Sequence, residues 1–186
     1  MKENKQKTKR CWVAMFSQTG SELHAVCSEL GIWPDAVITN AEEVDISKWG
    51  NTNLIWLSYK DIINSKTYKS LFNAFSPYED PVVTLHGWLK IVPGDVCEQH
   101  QIFNGHPGDI VKFPQLKGKD PQQKAYDLKM PMSGCVIHRV TSEIDGGPIA
   151  SYDKVTIAHC KNADEVINTL KKTSIEQWKK FINTIL

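Results

Sequence analysis

Cys11-Trp12-Val13-Ala14-Met15-Phe16-Ser17-Gln18-Thr19-Gly20-Ser21 is the stretch that decides the fold. An uncharged apolar run breaks at a turn-forming Ser-Gln-Thr-Gly, and Leu23, Ala25, Val26, Cys27 and Leu30 then recur at helical spacing. The reading is a buried strand, a tight turn and an amphipathic helix. Outward from there the alternation repeats. Asp35–Thr39 and Asn53–Leu57 read as a second and a third strand, and a helix over 65–75 carries Leu71, Phe72 and Phe75 on one side. Pro81–Leu85 and Gln101–Asn104 give a fourth and a fifth strand. A polar helical stretch over 119–129 has Pro121 early, where a missing N–H costs little. Ser133–Val140 and Ile149–Ile157 read as two further strands. The last helix opens at Asn162, an N-cap with Glu165 three residues on. Its stripe of Val166, Ile167, Leu170, Ile175, Trp178, Phe181 and Ile182 is expected to pack on the sheet.

Apolar strands alternating with amphipathic helices predict a single-domain, Rossmann-like α/β fold with a mostly parallel sheet and helices on both faces. In such sheets ligands bind beyond the carboxyl ends of the strands, at a switch in strand order. Gly20, Gly87 and Asn104, at the ends of strands one, four and five, therefore mark the expected site.

At 186 residues and 41% hydrophobic, the chain suits one domain over 11–186 with a substantial core. Residues 1–10, with Lys2, Lys5, Lys7, Lys9 and Arg10, read as a flexible arm, docking being the alternative. A formal net charge of +1 gives no electrostatic case for a nucleic-acid polymer or an anionic membrane as partner. The five cysteines are widely spaced and odd in number, so neither a disulfide framework nor a zinc knuckle is indicated. A reduced, cytoplasmic setting is expected. The apolar run at 11–16 falls short of a signal h-region of roughly 7 to 15 residues. Of the six histidines only His100 and His106 lie close in sequence, at no recognised metal spacing, and no metal is expected.

Three further stretches carry the chemistry: Phe103-Asn104-Gly105-His106-Pro107-Gly108, Gly134 to His138, and Asp145-Gly146-Gly147-Pro148. Singly, Asn104 reads as a turn residue, His106 as a loop histidine and Asp145 as a turn former. Together and in this order they resemble the folate-dependent formyltransferase family, and within it the phosphoribosylglycinamide formyltransferases. The resemblance implies a single formyltransferase domain that moves a formyl group from 10-formyltetrahydrofolate, its co-substrate, to a primary amine of a small acceptor, with glycinamide ribonucleotide of purine biosynthesis as precedent. The alternatives are another amine, on an amino sugar nucleotide or a modified nucleotide, and a non-catalytic folate-binding relative. Folate and the acceptor are the implied partners, and a homodimer is compatible with the resemblance.

By resemblance, Asn104, His106 and Asp145 are the catalytic residues. Asn104 would donate to the formyl oxygen, a contact typically worth about 10²- to 10³-fold in rate. His106 would add a second donor, and Asp145 would favour its imidazolium and relay the amine proton through a water. Leu89, Lys90, Ile91 and Val92 would form one wall of the folate pocket, and Val140 to Glu143, with Ser142 and Glu143, the other. Leu89, Ile91 and Val92 read equally well as core, and Trp88 reads as structural. His138 either supports the catalytic residues or is paired within its strand. Gly20, Ser21, Glu22 and Pro107 would hold the acceptor, backbone amides at a helix N-terminus taking its phosphate.

The departures from the family all fall on the acceptor side. Its Ser-Asn becomes Ser21-Glu22, and a carboxylate repels phosphate unless it turns away; Glu22 also fits plain helix-dipole chemistry. The last helix has Lys171, Lys172 and Thr173 where the family reaches the acceptor ribose with Glu and His. Lys119-Asp120 replaces a histidine-containing stretch. Lys60, Lys66 and Lys69 lie where the family binds the acceptor through arginine, and they read also as a solvated helix face.

Overall fold

The computed structural model describes residues 10–50, 52–57, 64–74 and 81–186. The arm expected over 1–10 lies outside them apart from Arg10, as do Lys60 and Phe75. A seven-stranded sheet runs in the order β3-β2-β1-β4-β5-β6-β7. Its strands are β1 (Trp12–Phe16), β2 (Ala36–Thr39), β3 (Asn53–Trp56), β4 (Val82–Leu85), β5 (Gln101–His106), β6 (Met132–Arg139) and β7 (Ile149–Thr156). Strands β1 to β5 pair in parallel, whereas β5 with β6 and β6 with β7 are antiparallel. The chain builds outward from β1 to β3, returns to β4 on the other side of β1, and continues to β7. The β1/β4 seam is thus the switch point, with Gly20 and Gly87 beyond the two strand ends.

The helices are α1 (Ser21–Leu30), α2 (Ser65–Ala74), α3 (Gly94–Gln99), α4 (Pro121–Asp127) and α5 (Ala163–Ile185). Strand alternation divides the core between the faces of the sheet. Val13 and Met15 of β1 pack with Tyr68 and Phe72 of α2 and Val96 of α3, whereas Trp12, Ala14 and Phe16 pack with Leu23 and Val26 of α1 and Trp178 and Ile182 of α5. A third cluster joins Leu116, Ala125, Val136, Val166 and Leu170 under α4 and the start of α5. Trp88 is core, its indole N–H donating to the Tyr68 hydroxyl at 2.8 Å.

Some boundaries differ from the sequence reading. β5 runs on to His106, because its pairing with β6 continues to Val136. α4 spans only 121–127, bounded by the left-handed residues Asp120 and Lys129. α3 carried no apolar periodicity long enough to read. α5 opens as expected, the Asn162 side chain accepting from the Glu165 N–H at 2.9 Å. Ile167, expected in its buried stripe, is 40% exposed, and Ser174 and Gln177 are buried instead because they meet polar partners under the helix.

Gly105 is the point where α5 meets the sheet: a Cβ there would lie 2.6 Å from the Trp178 indole nitrogen. Gly105→Ala is expected to lose about 1 to 3 kcal/mol of stability by overpacking, measured by urea unfolding. Placing it on a Trp178→Phe background should narrow the difference between Gly and Ala at 105. An unchanged midpoint for the single variant would mean that α5 withdraws without cost.

Candidate active site

Alternation along β5 puts Asn104 and His106 on one face and Gly105, under Trp178, on the other. In the antiparallel register His138 of β6 lies opposite Asn104. Asp145 comes from the β6–β7 connection, which folds back so closely that a Cβ on Gly147 would overlap the Arg139 carbonyl. Arg139 N–H donates to the Pro148 carbonyl at 2.8 Å and closes this loop. Asp145 itself sits at φ 49°, a left-handed conformation that Asp tolerates better than most residues.

The four side chains converge. Asp145 Oδ2 lies 3.2 Å from His106 Nδ1 and accepts the Gly118 N–H at 2.9 Å, while Oδ1 lies 3.4 Å from His138 Nε2. Asn104 Nδ2 lies 3.2 Å from His138 Nε2. His138 Nδ1 is 3.0 Å from the Arg139 carbonyl, which can only accept, so Nδ1 carries a proton. In neutral His138 the Nε2 lone pair then receives one N–H of Asn104, and the amide has a second to offer. By the same logic His106 Nε2, 2.8 Å from the Leu116 carbonyl, is a donor. A proton on Nδ1, facing Asp145, therefore makes His106 an imidazolium.

Burial holds the His106 pKa below its ordinary value of 6.5, against the opposing pull of Asp145 and the Leu116 carbonyl, with His138 and Lys124 adding to the depression. For Asp145, burial would raise the pKa, but the contact with His138, the field of His106 and the Gly118 N–H together bring it below 3.8. Both shifts favour the deprotonated forms, so as the pH falls the first proton that the pair takes up goes to His106 Nδ1, opposite Asp145 Oδ2.

Among the residues expected to hold the acceptor, Gly20 precedes α1 at φ 64°, and a Cβ there would lie 2.9 Å from both the Phe16 and Trp49 rings. Ser21 Oγ accepts from Lys171 Nζ at 2.9 Å. Glu22 is held inward: Ser174 donates to Oε1 at 2.6 Å, and His86 Nδ1 lies 3.3 Å from Oε2. Its pKa is lowered although burial alone would raise it, because His86, Ser174 and the field of Lys171 outweigh burial. The polar line continues from His86 Nε2 to Thr84 Oγ1 at 3.1 Å, which also accepts the Trp12 indole N–H at 2.8 Å. Lys69 is engaged with Asp95 at 2.7 Å, and Lys66 is exposed.

The residues expected to line the folate pocket separate. Leu89 and Ile91 are 67% and 71% exposed, and the Leu89 N–H donates to Ser17 Oγ at 2.9 Å, tying this loop to the turn after β1. Val92 is core, packed with the α3 cluster, so only its backbone is free to line a pocket, and Val140 also leans on the core. Lys90 is half-buried, Ser142 is exposed, and Glu143 pairs with Lys117 at 3.1 Å. Pro107 follows directly on β5 and is half-buried. Sequence reasoning missed Leu116, Lys117 and Gly118, which make their contacts through backbone or through a half-buried lysine, and it missed His86 and Ser174 as the partners of Glu22. It also missed Ile144, 61% exposed beside Asp145. A histidine directly before the glycine that ends β4 was the available sign for His86. No group of side chains suited to hold a metal ion occurs among the described residues.

The lowered pKa values set an acid limit. An unfolded chain binds the His106 proton more readily, so stability present above pH 6.5 is lost as the pH falls below it, and the Asp145 contribution, present above 3.8, is lost through still lower pH. The melting temperature is expected to fall from pH 7.5 to 5, and His106→Gln should flatten that part of the curve. Equal slopes for variant and parent would refute the assignment to His106.

A family model described as formyl transferase matches residues 56–181. The chain is 25% identical over 167 residues to the formyltetrahydrofolate deformylase of Bacillus subtilis, covering 84% of this chain and 54% of that protein. It is 31% identical over 91 residues to the formyltetrahydrofolate deformylase of Synechocystis, covering 48% of this chain and 31% of that one. It therefore spans between about a third and about half of the length of these relatives. Among solved structures, phosphoribosylglycinamide formyltransferase from Anaplasma phagocytophilum superposes with a TM-score of 0.80 at 22% identity, covering 94% of this chain and 86% of that one. With more than half of its residues inside the matched region, and with that fold, the chain belongs to the formyl transferase family.

Proposed function

We propose that the protein transfers a formyl group from 10-formyltetrahydrofolate to the primary amine of a small acceptor. The observation that carries this reading is the convergence of Asn104, His138, Asp145 and His106 at the end of β5. In the reaction the amine nitrogen bonds to the formyl carbon, the bond from that carbon to N10 of the folate breaks, and one proton travels from the amine to N10. Asn104, with one N–H committed to His138, offers the other to the oxygen that becomes negative. Asp145 stands ready to take the proton of the attacking nitrogen, directly or through water, to share it with His106 Nδ1 and to return it to N10. Both ring nitrogens of His106 face partners inside the protein. Its part is thus to hold charge and proton opposite Asp145, in place of the second oxygen donor expected from sequence. The exposed Leu89, Ile91 and Ile144 offer apolar surface for the faces of a pterin ring.

Glycinamide ribonucleotide is the precedent offered by structural neighbours such as the Anaplasma enzyme. Two observations favour a different acceptor. Glu22 keeps its charge at the start of α1, and a cleft of about 310 Å³ beside the same turn is lined by Ser17, Gln18, Ala41, Glu42 and Glu43, again acidic. An amine without a phosphate at this position fits better, and water fits as well. Water as acceptor makes the reaction the hydrolysis of formyltetrahydrofolate to formate, the activity named by the two deformylase relatives.

Turnover of 10-formyltetrahydrofolate with a panel of amines, and with none, separates these readings. Tetrahydrofolate formed only with an amine supports transfer, whereas formate released without one supports hydrolysis. Under either, Asn104→Ala should lose about 10²- to 10³-fold in kcat with folate binding retained. Tight folate binding with no turnover under any condition would leave a binding module.

A further inference from the structure

We infer that Lys124 is a positioning residue that acts on Asp145 through a single peptide group, the one joining Lys117 to Gly118. This inference deepens the reading of the site given above and rests on it for its catalytic consequence. Leu116 is fully buried in the core cluster beneath α4 and β6, which anchors the backbone that follows it. Three contacts leave this short segment for the site. The Leu116 carbonyl accepts from His106 Nε2 at 2.8 Å, Lys117 Nζ meets Glu143 Oε1 at 3.1 Å, and the Gly118 N–H donates to Asp145 Oδ2 at 2.9 Å.

The third contact has a partner on its far side. Lys124 Nζ, from α4, donates to the Lys117 carbonyl at 3.2 Å. The Lys117 carbonyl and the Gly118 N–H are the two ends of one trans peptide, and they point in opposite directions. The ammonium therefore grips the oxygen end of a plane whose nitrogen end holds the carboxylate. Such a clamp fixes the plane's rotation and polarises its N–H toward Asp145. A lysine on the short helix next to the site is in this way joined to the His106–Asp145 pair without touching either by a hydrogen bond.

The charges around the pair are Asp145 from the β6–β7 connection, His138 from β6 and Lys124 from α4 about His106, and His106 and His138 about Asp145. Removing the Lys124 charge takes one cation away from His106, and removing its hydrogen bond loosens the donor to Asp145. Lys124→Met is expected to raise both titrations. Lys124→Gln keeps a donor without the charge and is expected to raise that of His106 alone. Lys124→Arg keeps both properties and should leave both near the parent.

The test is NMR titration of the Asp145 carboxyl carbon and the His106 ring in the full chain, with the Gly118 amide followed in the unmodified protein. The Gly118 amide proton should move with the Asp145 titration. In parallel, kcat with the formyl donor should fall about tenfold in Lys124→Met, with KM for the donor within about twofold and recovery in Lys124→Gln and Lys124→Arg. A Gly118 amide that ignores the carboxyl titration overturns the proposal. So does a folded Lys124→Met with both titrations unmoved, or a loss of melting temperature with unchanged kcat and pH profile. Should the parent show no turnover at all, the functional reading fails while the titrations still decide the role of Lys124.

Discussion

The structure turns on keeping the Asp145 carboxylate ionised while it is nearly closed off from water. Desolvating a carboxylate costs several kcal/mol unless other groups replace the lost hydration. Here the Gly118 N–H from the segment before α4 donates to it, and the imidazoles of His106 on β5 and His138 on β6 close around it and pair with it when protonated. None can be placed independently, because β5 and β6 must be in register and the β6–β7 connection must fold back over Arg139. The sheet order, the antiparallel pairing at its far side and the left-handed turn at Asp145 all serve one small polar cage.

A second polar line lies at the β1/β4 switch, and its chemistry runs the other way. Where a helix N-terminus at such a seam is a ready anion site, Glu22 puts a negative charge into the first turn, and His86 and Ser174 hold it there. Lys171, which could otherwise serve an incoming anion, donates to Ser21 and lies within the field of Glu22. Trp178 links this line to β5: its ring lies 4.3 Å from that of His86, and its indole nitrogen packs against Gly105. The Glu22 side of the molecule is therefore packed against the same helix, α5, that supports β5.

Much of the fold was legible in the sequence because its central strands β1, β2 and β4 are buried on both faces and so announce themselves as apolar runs. β1 and β4 are the clearest instances. Elements held by few local signals were not legible: α3 is short, and β5 was read two residues short because Gly105 and His106 break the apolar run. Asn104, His106 and Asp145 could be picked out by motif and prove to be neighbours. The Leu116 carbonyl and the Gly118 N–H could not, since backbone groups leave no mark in residue type. Leu89, Ile91 and Val92 shared one apolar signature but divide between solvent and core, a distinction that only the path of the loop after Gly87 settles.

The bond from Ser174 to Glu22 joins positions 152 apart along the chain, and that from Lys171 to Ser21 spans 150. Pairings this distant raise the contact order, which slows folding, although the closure cost itself grows only slowly with loop length. As the chain leaves the ribosome, β1 to β4 can assemble while the Glu22 carboxylate still lacks its hydroxyl partner and Gly105 its indole. These contacts are completed only when α5 docks, because the hydroxyl on Glu22, the ammonium on Ser21 and the indole on Gly105 all come from that one helix.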